Sequence, residues 1–112
     1  MIRTDRACVL ALAGEIDLYN SPEVKRRLLD AIASGEKHIV VDLTETTFVD
    51  STMLATLTAA RKRLARQGRV VIVCSDRNIR KVLEVTGLDG LFAVYDTRAE
   101  ALAAGNGDGA HS

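Results

Sequence analysis

The chain has no tryptophan, and among its 112 residues there are only two phenylalanines, two tyrosines, two histidines, two cysteines and one proline. So few aromatic rings give a poor platform for stacking nucleic-acid bases. Two cysteines, Cys8 and Cys74, make neither a disulfide framework nor a zinc signature. Each sits in an apolar run and is read as a small buried hydrophobe, a redox pair being open only if their strands are neighbours with both thiols on one face. His38 and His111 lie far apart without a ligand-spaced partner, so no metal is expected. Charge of one sign is missing too. Fifteen basic residues balance fifteen acidic ones, and no overall field draws nucleic acid or anionic lipid. No apolar run is long enough to span a bilayer and the N-terminus lacks a signal-peptide run, so a cytoplasmic protein is expected.

What is present is strong periodicity over a length that fits one domain and one core. Residues 7–13, from Ala7 to Ala13, form an apolar run of strand length closed by Gly14. Asn20-Ser21-Pro22-Glu23 is a helix start, with Ser21 as cap and Pro22 at the first helical position. Val24, Leu28, Ala31 and Ile32 follow at helical spacing, and Gly35 marks the stop. A second strand spans His38 to Leu43. Residues 44–50 then read as a polar loop whose one apolar pair, Phe48-Val49, plugs back into the core. The next helix places Leu54, Leu57 and Leu64 on one face, with Met53, Ala60 and Ala65 beside them. Arg61, Lys62, Arg63 and Arg66 sit in its last turns, complementing a helix C-terminus before Gly68.

Val70 to Cys74 is a third strand, rich in β-branched residues. Asp76 caps a short helix with Ile79, Val82 and Leu83 inward and Gly87 at its end. A last strand around Phe92 to Tyr95 leads to Thr97-Arg98-Ala99-Glu100, a capping box for a terminal helix. From Gly105 the glycine-rich sequence predicts a disordered tail, residues 105–112, after a domain of residues 1–104.

Strands alternating with helices predict an α/β domain with a mostly parallel sheet and four helices. Loops after parallel strands emerge at one edge, where such proteins bind partners or ligands. Gly14 to Asp17, Thr46 to Ser51 and Ser75-Asp76 are therefore expected along one rim, made acidic by Glu15, Asp17, Asp50 and Asp76. Asp50-Ser51-Thr52 opens the second helix on that rim. A hydroxyl there is either an ordinary cap or a site where phosphorylation changes surface charge without disturbing the core. A nucleophilic serine needs a nearby base. His38 opens its strand at the far end of the sheet and His111 lies in the tail. The chain also lacks a phosphate-cradling glycine-rich loop and a GxSxG elbow, so no enzyme activity is expected.

Three motifs in order, Gly14-Glu15-Ile16-Asp17, Val49-Asp50-Ser51-Thr52 and Thr86-Gly87-Leu88, resemble the anti-sigma factor antagonists of the STAS domain family, over roughly residues 6–103. The resemblance implies an α/β sandwich with a short antiparallel edge strand at Ile2 to Asp5. It implies a protein that binds an anti-sigma factor and releases the sigma factor held there. The anti-sigma factor of such systems is often an ATP-dependent serine kinase, and a PP2C-type phosphatase reverses its mark. Nucleotide then enters through the kinase, and the chain itself is expected to need no cofactor. Carried over, the phosphoacceptor is Ser51, and Glu15, Asp17, Asp50, Thr52 and Met53 fall on the partner-contacting rim. Met53 stands where the family usually has glycine, so its side chain either packs inward or stands in a kinase's way. The same domain also serves as an interaction module, in a stress-signalling assembly or beside a lipid transporter, without direct sigma-factor control.

Overall fold

A computed structural model describes the backbone of residues 2–3, 7–64 and 67–111, with side chains over 7–64 and 67–104. Its elements in chain order are β1 (Ile2–Arg3), β2 (Cys8–Ile16), α1 (Ser21–Ala33), β3 (His38–Val49), α2 (Ser51–Leu64), β4 (Arg69–Val73), α3 (Arg77–Val85), a single 3-10 turn (Leu88–Gly90), β5 (Val94–Tyr95) and α4 (Arg98–His111). The strands lie in sequence order in one sheet. β2 to β5 are mutually parallel, and Ile2 and Arg3 pair antiparallel with Val9 and Cys8. Thr4 and Asp5, also expected at that edge, lie outside the described residues, as do Ala65 and Arg66.

Adding each parallel strand at the same edge by right-handed crossovers sends the connecting helices to one face. Strand alternation supplies that face with Leu10, Leu12, Val41, Leu43 and Ile72, against which Leu28 of α1, Leu57 of α2 and Ile79 and Leu83 of α3 are buried. The opposite face offers smaller side chains, Ala7, Val9, Val40, Val71 and Val73, covered by Ala101 and Leu102 of α4. Asp42 lies on that second face, 4% exposed, where Arg98 Nε of α4 donates to its Oδ2 at 2.8 Å. The amide of Thr44 donates to Oδ1 at 2.9 Å, and the Thr44 hydroxyl donates to the same oxygen. Burial pushes the Asp42 carboxyl up, but the bonds from Thr44 and from the Arg98 guanidinium outweigh it and hold the group below the usual carboxylate range.

Several expectations need correcting. Of the stretch expected as a loop, residues 44–50, all but Asp50 continue β3, and β2 likewise runs past Gly14 to Ile16. The pairing is interrupted by irregularities between Ala11 and Ala13 and between Gly14 and Glu15. They insert two extra residues in β3 and break the simple alternation that marks a strand. Within this segment Val49 is buried but Phe48 is 49% exposed, so the apolar pair divides between core and solvent. Ser21 does not cap α1. Asn20 occupies the cap position, Ser21 is the first helical residue, and its hydroxyl is buried. The backbone of α4 is helical over Arg98–His111. The side chains of 105–111 lie outside the described residues.

The cysteines are both buried and both on the three-helix face, yet their strands are not neighbours, since β3 runs between β2 and β4. Cys8 is level with Ile39 and Val70, so Cys74 is two strands across and four residues along. That is roughly 10 Å by 13 Å at ordinary strand spacings, beyond the reach of about 7 Å between Cα atoms for a disulfide. Burial pushes the Cys74 thiol up, away from the reactive thiolate.

Candidate functional site at the tip of the β2–β3 ribbon

The last pair between β3 and β4 is Asp42 with Val73, whereas β2 and β3 stay paired from Ala11–Asp42 out to Ile16–Val49. Five more residues of β2 project the two-stranded ribbon roughly 16 Å beyond the end of β4. The three loops expected on one rim therefore divide. Residues 17–20 and Asp50 stand together at the ribbon tip, joined by the Asp50 amide donating to the Ile16 carbonyl at 3.1 Å. Asp76 is set back. Its Oδ1 accepts from the amides of Asn78 and Ile79 and caps α3. Arg80 beside it donates to the Cys74 carbonyl and pairs with Asp96, so the rim is acidic only in its β2–β3 half.

At the tip, Asp50 caps α2, its Oδ1 accepting from the Met53 amide at 3.0 Å. A carboxylate is well suited to that place, because it satisfies a free N–H at the positive end of the helix. Ser51, the first residue of α2, is therefore not needed as the cap. It is exposed, as is Thr52, and no hydrogen bond is formed by the Ser51 hydroxyl among the described residues. Met53 is a correction. Its side chain is fully buried and packs in the three-helix core, so it gives a partner nothing to touch and does not obstruct Ser51. The buried apolar stripe of α2 is Met53, Leu57, Ala60 and Leu64, spaced four, three and four apart, with Thr56 buried beside it.

Glu15 is exposed and pairs with Phe48 across the ribbon. Asp17 is half-buried and braces the turn that follows it. Its Oδ1 accepts from the amides of Tyr19 at 2.9 Å and Asn20 at 3.4 Å, while its own amide donates to Asn20 Oδ1 at 2.8 Å. Asn20 Nδ2 closes the loop by donating to the Glu15 carbonyl at 2.6 Å. Leu18 and Tyr19, on this braced turn, are 70% and 95% exposed. Sequence reasoning passed over them, because they belong to no motif and interrupt no periodicity. The signal available was two large apolar residues in a loop between polar neighbours.

His38 opens β3 at the far end of the strand from Ser51. Among the described residues, no group of three or more His, Cys, Asp or Glu side chains is placed to hold a metal ion. No helix among them is long and apolar enough to cross a membrane.

A sheet of four parallel strands and one antiparallel edge strand, with three crossover helices on one face and one helix on the other, makes a small α/β domain that carries an exposed serine after a capping aspartate. Residues 1–101 match the STAS domain family, and the chain belongs to that family. It is 34% identical over 92 residues to the anti-sigma-B factor antagonist of Listeria monocytogenes, covering 80% of this chain and 79% of that protein. To the anti-sigma-F factor antagonist RsfB of Mycobacterium tuberculosis it is 27% identical over 94 residues, covering 84% and 77%. Among solved structures, an anti-sigma factor antagonist from Mycobacterium paratuberculosis superposes with a TM-score of 0.88 at 28% identity, over 94% of this chain and 90% of that one.

Proposed function

We propose that this chain is an anti-sigma factor antagonist. It binds an anti-sigma factor at the ribbon tip, so releasing a sigma factor, and phosphorylation of Ser51 switches that binding off. The observation that carries this reading is the division of roles at the start of α2. Asp50 caps the helix, while Ser51 stands exposed one residue on. Relatives named as antagonists of anti-sigma-B and anti-sigma-F factors support the choice of partner. Glu15, Asp17, Asp50 and Thr52 frame the contact, and the partner is a serine kinase whose mark a PP2C-type phosphatase removes. The domain comprises residues 1–104, and it works in the cytoplasm without catalytic activity or cofactor of its own.

The physical scale is sufficient. A phosphate adds about −1.5 to −2 charges at neutral pH, which the amide groups and dipole at a helix start accommodate locally. Pressed into an interface beside Asp50, the same charge suffers repulsion and desolvation, and about 2.7 kcal/mol of that already means roughly 100-fold weaker binding. The test is a quantitative pull-down from the native bacterial lysate with wild-type and Ser51→Asp baits, read by mass spectrometry. A kinase-like anti-sigma factor held by wild type and lost by Ser51→Asp supports the proposal. Equal retention by both baits removes the switch, and recovery only of transporter or signalling-assembly subunits removes the function.

A further inference from the structure

Among the described residues, five large apolar side chains are substantially exposed, and three of them, Leu18, Tyr19 and Phe48, stand at the end of the β2–β3 ribbon. Scattered exposed hydrophobes need no explanation, but a concentration of them on one projecting element does. Their presentation is built rather than incidental. The turn carrying Leu18 and Tyr19 is tied by four side-chain hydrogen bonds and by the amides of Asn20 and Ser21 donating to the Asp17 carbonyl. Phe48 follows the irregularity in the β2–β3 pairing that separates Gly14–Thr46 from Glu15–Phe48. Its neighbour Val49 is buried in the three-helix core, which turns Phe48 away from that core.

We propose that Leu18, Tyr19 and Phe48 are the apolar anchor by which the partner protein is held, and that the partner presents an apolar pocket fringed by Lys and Arg. The basic fringe follows from the exposed carboxylate of Glu15, paired across from Phe48, and from Asp17 and Asp50 beside the turn. This inference rests on the proposed function for the identity of the partner, but it assigns the affinity to other residues. Tyrosine on a fixed turn is suited to the task, because it buries a large ring with few torsions to freeze on binding. The charge at Ser51 then acts by placing a strongly hydrated group at the border of a surface that must dry out.

The experiment is a calorimetric titration of the purified anti-sigma factor recovered by the wild-type bait. The titrants are wild type, the double variant Leu18→Ala/Tyr19→Ala, Phe48→Ala, Glu15→Gln and Ser51→Asp, each at low and high salt. The double variant should bind at least about 30-fold more weakly with an unchanged melting temperature, while wild-type binding survives high salt. Phe48→Ala should bind about 10-fold more weakly, and Glu15→Gln should lose mainly its salt sensitivity. Binding within about 3-fold of wild type for both apolar variants overturns the anchor, and if Ser51→Asp is weakened in that same series the proposed function stands without it. Loss of binding in the apolar variants with Ser51→Asp unaffected leaves the anchor standing and removes the switch. If wild type recovers no anti-sigma factor, both fall together.

Discussion

Asp50 and Ser51 are adjacent in sequence and do separate things. The carboxylate closes the helix start, so Asp50→Ala should lower stability by about 1 kcal/mol, visible as a drop in melting temperature. Ser51→Ala should leave the melting temperature and partner affinity unchanged while abolishing incorporation of phosphate from ATP by the partner kinase. Ser51→Asp should weaken binding about 100-fold with the same melting curve, since its side chain lies outside the core. Met53 is the opposite case. Met53→Ala should cost about 2–5 kcal/mol in denaturant unfolding through the cavity it leaves, with no new surface presented. That a cap stands at the start of α2 was legible, because capping is a local rule that residue types announce, but the sequence offered the Ser51 hydroxyl for that place and the structure gives it to Asp50. The inward turn of Met53 depended on helical phase. Leu54, Leu57 and Leu64 suggest a stripe, but the spacing that packs is 53, 57, 60 and 64, leaving Leu54 partly buried at its side.

At the scale of elements, four helices and the main parallel strands were legible, because each combines an apolar period with a stop or start signal. The outer half of β3 was not. Thr44, Glu45, Thr46 and Thr47 look like a loop when polarity is counted, yet threonine suits a pleated surface, and the pairing irregularities hide the period of two. Thr46 is buried there, its hydroxyl donating to the Leu12 carbonyl at 3.0 Å, a contact between strands that no local pattern announces. The α2–β4 connection depends on Gly68, where a Cβ would stand 2.1 Å from the Lys37 carbonyl oxygen. Gly68→Ala should therefore destabilise by about 1–3 kcal/mol, measured by urea unfolding. The attachment of α4 should depend on pH. The Asp42 carboxyl is held low by its bonds, so the stability it contributes is fully present above the ordinary carboxylate value of about 3.9 and is lost as pH falls through the folded value. Asp42→Asn should flatten the acid limb of melting temperature against pH below about 4, whereas an unchanged limb would show that other carboxylates set it.

For the whole molecule, the two faces of the sheet are unequally protected. One is covered by three helices and the larger apolar side chains, the other by α4 over alanine and valine. Hydrogen exchange should accordingly find α4 opening at lower free energy than α1 or α2, in the manner of a separate cooperative unit. The placement of the cysteines is also a property of the whole. Their separation by β3 means that mild oxidant should produce no species lighter by about 2 Da in intact mass, and reductant should leave the melting temperature unchanged. Strand order decides this, and strand order was the part of the topology that the spacing of Cys8 and Cys74 in the sequence did not contain.

The projecting ribbon makes the proposed recognition tip nearly independent of the chassis that carries it. Of its outer residues Leu12, Ile16, Leu43, Thr46 and Val49 are buried, so the rest can be exchanged without repacking the core. On the proposed function, a cell holding several copies of this scaffold can therefore diversify their tips alone, and run parallel switches that ignore one another's partners while sharing a single, unaltered body.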